Sequence, residues 1–268
     1  MSGPYTLARI EPARPHASAP DGGPYGTIVV VGGGCYGSYY VRQLSRARAK
    51  GMLTWERLLV VDRDAGCRVA REMPDAAATM VTEEWGAFFD RWLGEAAAVP
   101  SGARDAVVPS PLMPHLMFDW LLRRARDRWP GRAVERGRLA EPPATPWERA
   151  GADGTHYASY ATWMCPVNCV EPATCPHTRA PRDWTMPAAL AALARSAAGR
   201  GRPLAGPAIL HCTHRAFGVG MFDVADVVAA DALVRRAGTD GAAEVLLGTV
   251  SHCHGALAVL AVGAPGAE

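Results

Sequence analysis

The stretch Thr27-Ile28-Val29-Val30-Val31-Gly32-Gly33-Gly34-Cys35-Tyr36-Gly37 decides how this chain is read. Its first five residues are all β-branched, which suits a short strand buried on both faces. Glycines follow at the strand end, and a helical pattern then runs from Ser38 to Ala49. The spacing Gly32-x-Gly34-x-x-Gly37 supplies glycine where a strand-to-helix connection most needs it. The first permits a tight turn, the second lets a diphosphate approach the backbone, and the third lets helix and strand touch closely. The start of the helix adds unpaired N–H groups and the positive end of its dipole.

Working outward, Arg57-Leu58-Leu59-Val60-Val61-Asp62 is a second buried strand, closed by an acid placed to accept hydrogen bonds from a ribose. A third strand is expected at Ala78–Thr82 before a helix at Glu83–Leu93, and a fourth at Asp105–Pro109 before an amphipathic helix from about Pro114 to Trp129. Alternating strands and helices indicate βαβ units on a parallel sheet. Over Thr27–Trp129, under half of the chain, the sequence resembles the NAD(P)-binding Rossmann superfamily. The resemblance implies NAD(P) as cofactor, held by Gly32, Gly33, Gly34, Tyr36, Gly37 and Asp62. Asp62 implies NAD over NADP, because a carboxylate repels a 2′-phosphate, although Arg63 stands next to it. Val41 occupies a position where that superfamily commonly has a small residue, so a looser contact between helix and strand is expected.

From Pro130 to about Arg182 the periodicity is lost among prolines, tryptophans and three cysteines. A loop of this length needs an organiser other than a core. Cys165-Pro166-Val167-Asn168-Cys169 and Cys175-Pro176-His177 place three thiols within eleven residues. Thiolates so close in sequence can converge on a metal. Two of them precede proline, which resembles ferredoxin-type iron–sulfur loops, although the spacing matches neither a ferredoxin nor a zinc ribbon. The expected ligands are Cys165, Cys169 and Cys175 of an iron–sulfur cluster, with Cys212 as fourth and Cys253 as the next choice. Zinc is the alternative, closed locally by Cys165, Cys169, Cys175 and His177.

Order returns with a helix near Ala188–Ala198, the strand Ala208–Cys212, a helix from about Asp223 to Arg236, and the strands Glu244–Val250 and Ala256–Val262. Two strands end in histidine clusters, His211-Cys212-Thr213-His214 and His252-Cys253-His254. At the carboxyl ends of parallel strands they would open onto the ligand crevice, so His211, His214, His252 and His254 are the candidate acid–base groups. Alternation puts Cys212 and His214 on one face and His211 and Thr213 on the other if the strand continues. Gly218-Val219-Gly220 reads as an ordinary loop, or less readily as an anion-binding turn before the following helix.

The expected fold is therefore α/β: a Rossmann-like, doubly wound, mainly parallel sheet with a Cys/Pro-rich insertion. Residues 1–26 form a loose tail, 27–130 the dinucleotide-binding part, 131–206 the insertion with its metal site, and 207–268 the strands and helix that complete the sheet. Composition narrows the function. The net charge of +2 argues against a dedicated polyanion binder such as a nucleic-acid protein. Lys50 is the single lysine, which leaves almost no place for Schiff-base chemistry. Arg123, Arg124, Arg126 and Arg128 suit the carboxyl end of a helix dipole. No apolar run is long enough to span a bilayer, and residues 1–26 lack the apolar core of a secretory signal, so a cytoplasmic setting is expected. There cysteines are ligands or free thiols rather than disulfides. These readings point to an NAD(P)-dependent oxidoreductase with a Cys-ligated centre, acting on a small molecule or a redox partner protein, with self-association left open. The alternatives are a zinc-containing dehydrogenase, a non-enzymatic redox sensor or regulatory subunit, and a carrier that delivers a metal to a partner.

Overall fold

The computed structural model describes residues 24–98, 104–166, 168–201 and 203–265. Its first part runs β1 (Tyr25–Val31), α1 (Cys35–Ala49), β2 (Trp55–Asp62), α2 (Arg68–Glu72), β3 (Thr79–Thr82), α3 (Trp85–Ala98), β4 (Arg104–Val108) and α4 (Leu116–Arg128). Then follow β5 (Val134–Gly137), β6 (Trp147–Ala150), β7 (His156–Ser159), α5 (Met186–Gly199), β8 (Ala205–His211), β9 (Thr213–Ala216), β10 (Val219–Asp223), α6 (Val224–Thr239), β11 (Ala243–Val250) and β12 (His254–Val262).

The chain is an α/β protein with two mixed sheets. In the first, β3, β2, β1 and β4 lie parallel in that order, and β10 and β9 extend it antiparallel beyond β4. All of β1 is buried, as its apolar run requires. The strand period divides that run between two cores. Ile28 and Val30 pack with Val41 and Leu44 of α1, whereas Val29 and Val31 pack with Phe88 and Phe89 of α3 and Trp120 of α4.

The second sheet is where sequence expectation and structure part. Of residues 207–268, only β9 and β10 join the first sheet. β8, β11 and β12 leave it and form a separate sheet in the order β6-β7-β12-β11-β8, with β5 also on β12. Only β11 and β8 are parallel within it. Residues 131–206 are likewise no mere insertion, since β5, β6 and β7 are strands of this sheet. They escaped notice because each has four residues and β6 is exposed throughout, so no alternation marks them. β12 holds β7 at His254–Leu257 and β5 at Val259–Val262, and β7 in turn pairs with β6. The expected tail also ends sooner: Tyr25 and Gly26 already belong to β1, and residues 1–23 lie outside the described residues.

α6 is the layer shared by the two sheets, packing on β4 of one and on β8 and β11 of the other. One core thus joins Val29 and Val107 to Val227 and Val234 and on to Leu247 and Leu260. α5 covers the far face of the second sheet through Met186, Leu190 and Leu193. The arginine-rich end of α4 is built into this packing. Arg128 and Arg124 both reach Asp231 of α6, at 2.9 Å and 3.4 Å, while Arg126 donates to the Val134 carbonyl and Arg123 pairs with Asp90. Asp231 is 10% exposed at the side chain, so its removal strands two guanidinium groups. Discounting for solvent around Arg124, Asp231→Ala is expected to cost about 2 kcal/mol, read as a lower midpoint in chemical denaturation. An unchanged midpoint would show that this clamp contributes nothing.

Candidate functional site

The glycine-rich turn closes β1 onto α1. Gly32 takes φ +86°, a left-handed conformation that turns the chain out of the strand, and its N–H is bonded to the Val61 carbonyl at 2.8 Å. A Cβ on Gly37 would stand 1.8 Å from the Gly32 carbonyl oxygen, so only glycine lets the first turn of α1 come this close. By contrast, nothing lies within 4 Å of where a Cβ on Gly34 would be. The space above the middle glycine is open. The Gly33 N–H donates to one Asp62 carboxylate oxygen at 2.7 Å, and the other accepts from the Asp64 N–H at 2.9 Å. Asp62 thus stands against the turn. Val41 is fully buried, yet the close approach of Gly37 persists, so the expected loosening does not occur.

Beside this turn lies a cavity of about 480 Å³. Tyr36 and Tyr40 of α1 form one wall, and Pro109, Ser110, Pro111 and Pro114 after β4 form another. The opposite side is the cysteine loop, with Cys165, Cys169, Glu171 and Cys175, joined by Cys212 and His214 from β8–β9 and by Cys253 and His254 from the β11–β12 turn. Because β8 and β11 are parallel neighbours, with His211 opposite Val250, their histidine clusters emerge side by side.

The chain switches sheets between these clusters. β8 ends at His211 and β9 begins at Thr213, with the Cys212 N–H held by the Val250 carbonyl at 2.7 Å. The strand that alternation assumed is broken at Cys212; Cys212 and His214 nevertheless both line the cavity, while His211 turns to His252, ring centroids 5.0 Å apart. His214 donates from Nδ1 to the Cys169 carbonyl, tying β9 to the cysteine loop. The turn between β9 and β10 is Phe217-Gly218, and Val219 and Gly220 already belong to β10, so the segment is a β-hairpin rather than an anion-binding turn before a helix. A Cβ on Gly218 would meet the Asn168 backbone at 2.5 Å, so this glycine lets the cysteine loop lie against the hairpin.

His254 shows how its proton is placed. The Ser159 hydroxyl donates to the Ala161 carbonyl at 2.7 Å and accepts from the Ala161 N–H at 2.9 Å. Its oxygen therefore accepts from His254 Nδ1–H, also at 2.9 Å, leaving Nε2 as the basic atom. Partial desolvation among the cavity walls lowers the His254 pKa, so the imidazole is neutral near pH 7.

Sequence reading missed Glu171. It has φ +49° and a side chain only 6% exposed. Its carboxylate accepts from the His252 N–H at 3.2 Å and faces His252 Nδ1 at 3.5 Å. Burial pulls its pKa up, but His252, His214 and Ser251 outweigh that and hold it at about 2. It is thus a fixed negative charge among the thiols. Burial, reinforced by that charge, pushes the Cys212 thiol up to about 12. A carboxylate in a cysteine loop, in Cys169-Val170-Glu171-Pro172, was the available signal.

Among the described residues, no three of Cys, His, Asp and Glu stand close enough to hold one metal ion. His177, the local zinc alternative's fourth ligand, is stacked flat on Trp163 with ring centroids 4.3 Å apart.

Residues 117–263 match a family model described as "Uncharacterized protein, C-terminal domain". The chain belongs to that family. The matched segment holds the whole second sheet, the cysteine loop and both histidine clusters, and it begins after the glycine-rich turn. The cavity is therefore walled by this domain on one side and by α1 and the β4 loop on the other. Neither a curated protein nor a solved structure matches the chain. No helix of the described residues is long and apolar enough to cross a membrane.

Proposed function

We propose that the chain is an NAD(P)-linked oxidoreductase whose reaction chamber is the cavity between α1 and the cysteine loop. The observation that carries this reading is the glycine turn: no room for a Cβ at Gly37, open space at Gly34, and Asp62 alongside. The order β3-β2-β1-β4, all parallel and covered by helices on both faces, supports a Rossmann-like, doubly wound first sheet. α1 has neither an acidic residue in its first turn nor a side-chain cap, which leaves its amino end available to an anion.

A bound dinucleotide would supply hydride exchange. The residues around it have separable tasks. The backbone at Gly34 and the start of α1 hold the diphosphate. Asp62 accepts from a ribose hydroxyl with its remaining lone pairs and disfavours a 2′-phosphate. Tyr36 and Tyr40 narrow the passage toward the thiols. His254 Nε2, kept basic by the bond from Nδ1 to Ser159, takes or returns a substrate proton.

Nucleotide titration by calorimetry tests the reading. NAD or NADH should bind more tightly than NADP. Gly34→Val places its side chain in open space at an ordinary φ of −77°, so stability should stay within about 0.5 kcal/mol of the parent while affinity falls at least about tenfold. Absence of binding by any dinucleotide at millimolar concentration defeats the proposal.

A further inference from the structure

We propose that Cys165, Cys169, Cys175 and Cys253 together ligate one iron–sulfur cluster, and that Cys212 stands outside the ligand set.

Position comes first. Cys165, Cys169 and Cys175 share one loop, and Cys253 lies on the β11–β12 turn folded against it. The Tyr160 N–H bonds to the Cys253 carbonyl and the Met186 N–H to the His252 carbonyl, both at 2.9 Å, so the loop is tied to that turn at both flanks. Cys165 is the hub, within electrostatic reach of Cys169, Cys175 and Cys253. The charged groups acting on Cys212, which lines the same cavity, are Glu171 and Arg215.

The sulfurs of the four also share a feature that Cys212 lacks. Each faces an N–H group. Cys169 Sγ accepts from the Glu171 amide at 3.4 Å, and Cys253 Sγ from the Trp184 indole at 3.4 Å. Cys175 receives the amides of Thr178 and His177. The Trp163 indole N–H is directed at Cys165 and has no nitrogen or oxygen partner. Donors aimed at ligating sulfurs would tune the potential of a bound cluster. Four thiolates beside the Glu171 carboxylate need cationic charge, and Arg182 is the cation acting on Cys175 and Cys253. Metal ions supply the remainder.

Spacing then chooses the metal. Four sulfurs at 2.3 Å from one zinc must lie about 3.8 Å from one another. These thiols ring a single cavity, yet no three of them converge on one point. A polynuclear cluster offers a separate iron to each thiolate and spans a wider ring. Pro166 and Pro176, directly after Cys165 and Cys175, line the same cavity and stiffen the loop without adding N–H groups.

The inference stands apart from dinucleotide binding, and metal analysis and nucleotide titration fail separately. The full chain is purified anaerobically and assayed for iron, zinc, acid-labile sulfide and visible absorption. Stoichiometric iron and sulfide with broad visible absorption are expected. A colourless protein holding one zinc, or one that takes up no iron and sulfide on reconstitution, overturns the proposal. Cys253→Ser should lose the cluster as fully as Cys165→Ser, while Cys212→Ser keeps it. Because Cys253 is buried and its variant can fail to fold, alkylation mass spectrometry of the unmodified chain supplies a second readout, with exposed Cys35 as internal standard. Loading should protect Cys165, Cys169, Cys175 and Cys253. Protection of Cys212 in place of Cys253 refutes the ligand set.

Discussion

Gly37→Ala is expected to destabilise the protein by about 3 kcal/mol, although alanine is the better helix former by about 1 kcal/mol. The opposition of signs makes the test sharp. A Cβ at this position falls 1.8 Å from the Gly32 carbonyl oxygen and 2.8 Å from its carbon. Neither side can yield cheaply. Gly32 is pinned by its bond to Val61, and α1 is anchored by Val41, Leu44 and Ala47, all fully buried. Relief requires α1 to lift from β1, which opens that core. Chemical denaturation should show a lower midpoint at unchanged slope. A stabilised variant would mean that helix and strand are not in contact at this turn. Set beside Gly34→Val, the pair separates a glycine required by packing from one that leaves room for a ligand.

The second large effect is acid sensitivity from His115, at the entry to α4. The residue is 6% exposed, stacked on Phe118 with ring centroids 5.0 Å apart. Burial, helped by the Arg136 charge and opposed by Asp153, drives its pKa from 6.5 down to about 3. The native state therefore binds no proton where the unfolded chain does. Stability from this residue is fully present above pH 6.5 and is lost as pH falls toward 3, by about 1.4 kcal/mol per unit. By about pH 4.5 the loss reaches about 3 kcal/mol. His115→Phe should remove this part of the slope while matching the parent's pH dependence above about pH 7. Parallel stability curves for the two proteins between about pH 6.5 and pH 4.5 would disprove a buried neutral imidazole.

The glycine turn was readable because its determinants are local. A β-branched run, three glycines at fixed spacing, and an acid closing the next apolar run each act within a few residues; the bond from Gly33 to Asp62 is added by the tertiary structure. The four-residue strands β5, β6 and β7 were not readable. Their own side chains carry no period, and their partners are distant in sequence or equally short: β12 pairs with β5 and β7, and β7 with β6. Glu171 escaped for a similar reason. Glu171 becomes the charge at the centre of the thiols only after the β11–β12 turn brings His252 onto it.

Chain-local chemistry, then, determined the parallel strands, the turn that joins β1 to α1, and the concentration of thiols and imidazoles in the second half. Hydrophobic periodicity and backbone sterics act between near neighbours, so they are written in order along the chain. Tertiary structure decided that β8, β11 and β12 form a second sheet, and that α6 is shared between the two. It also decided which cysteines meet around one cavity. Those outcomes depend on pairings between residues far apart in sequence, where burying α6 on both faces and satisfying the edges of β12 selects one arrangement among many that local pattern allows.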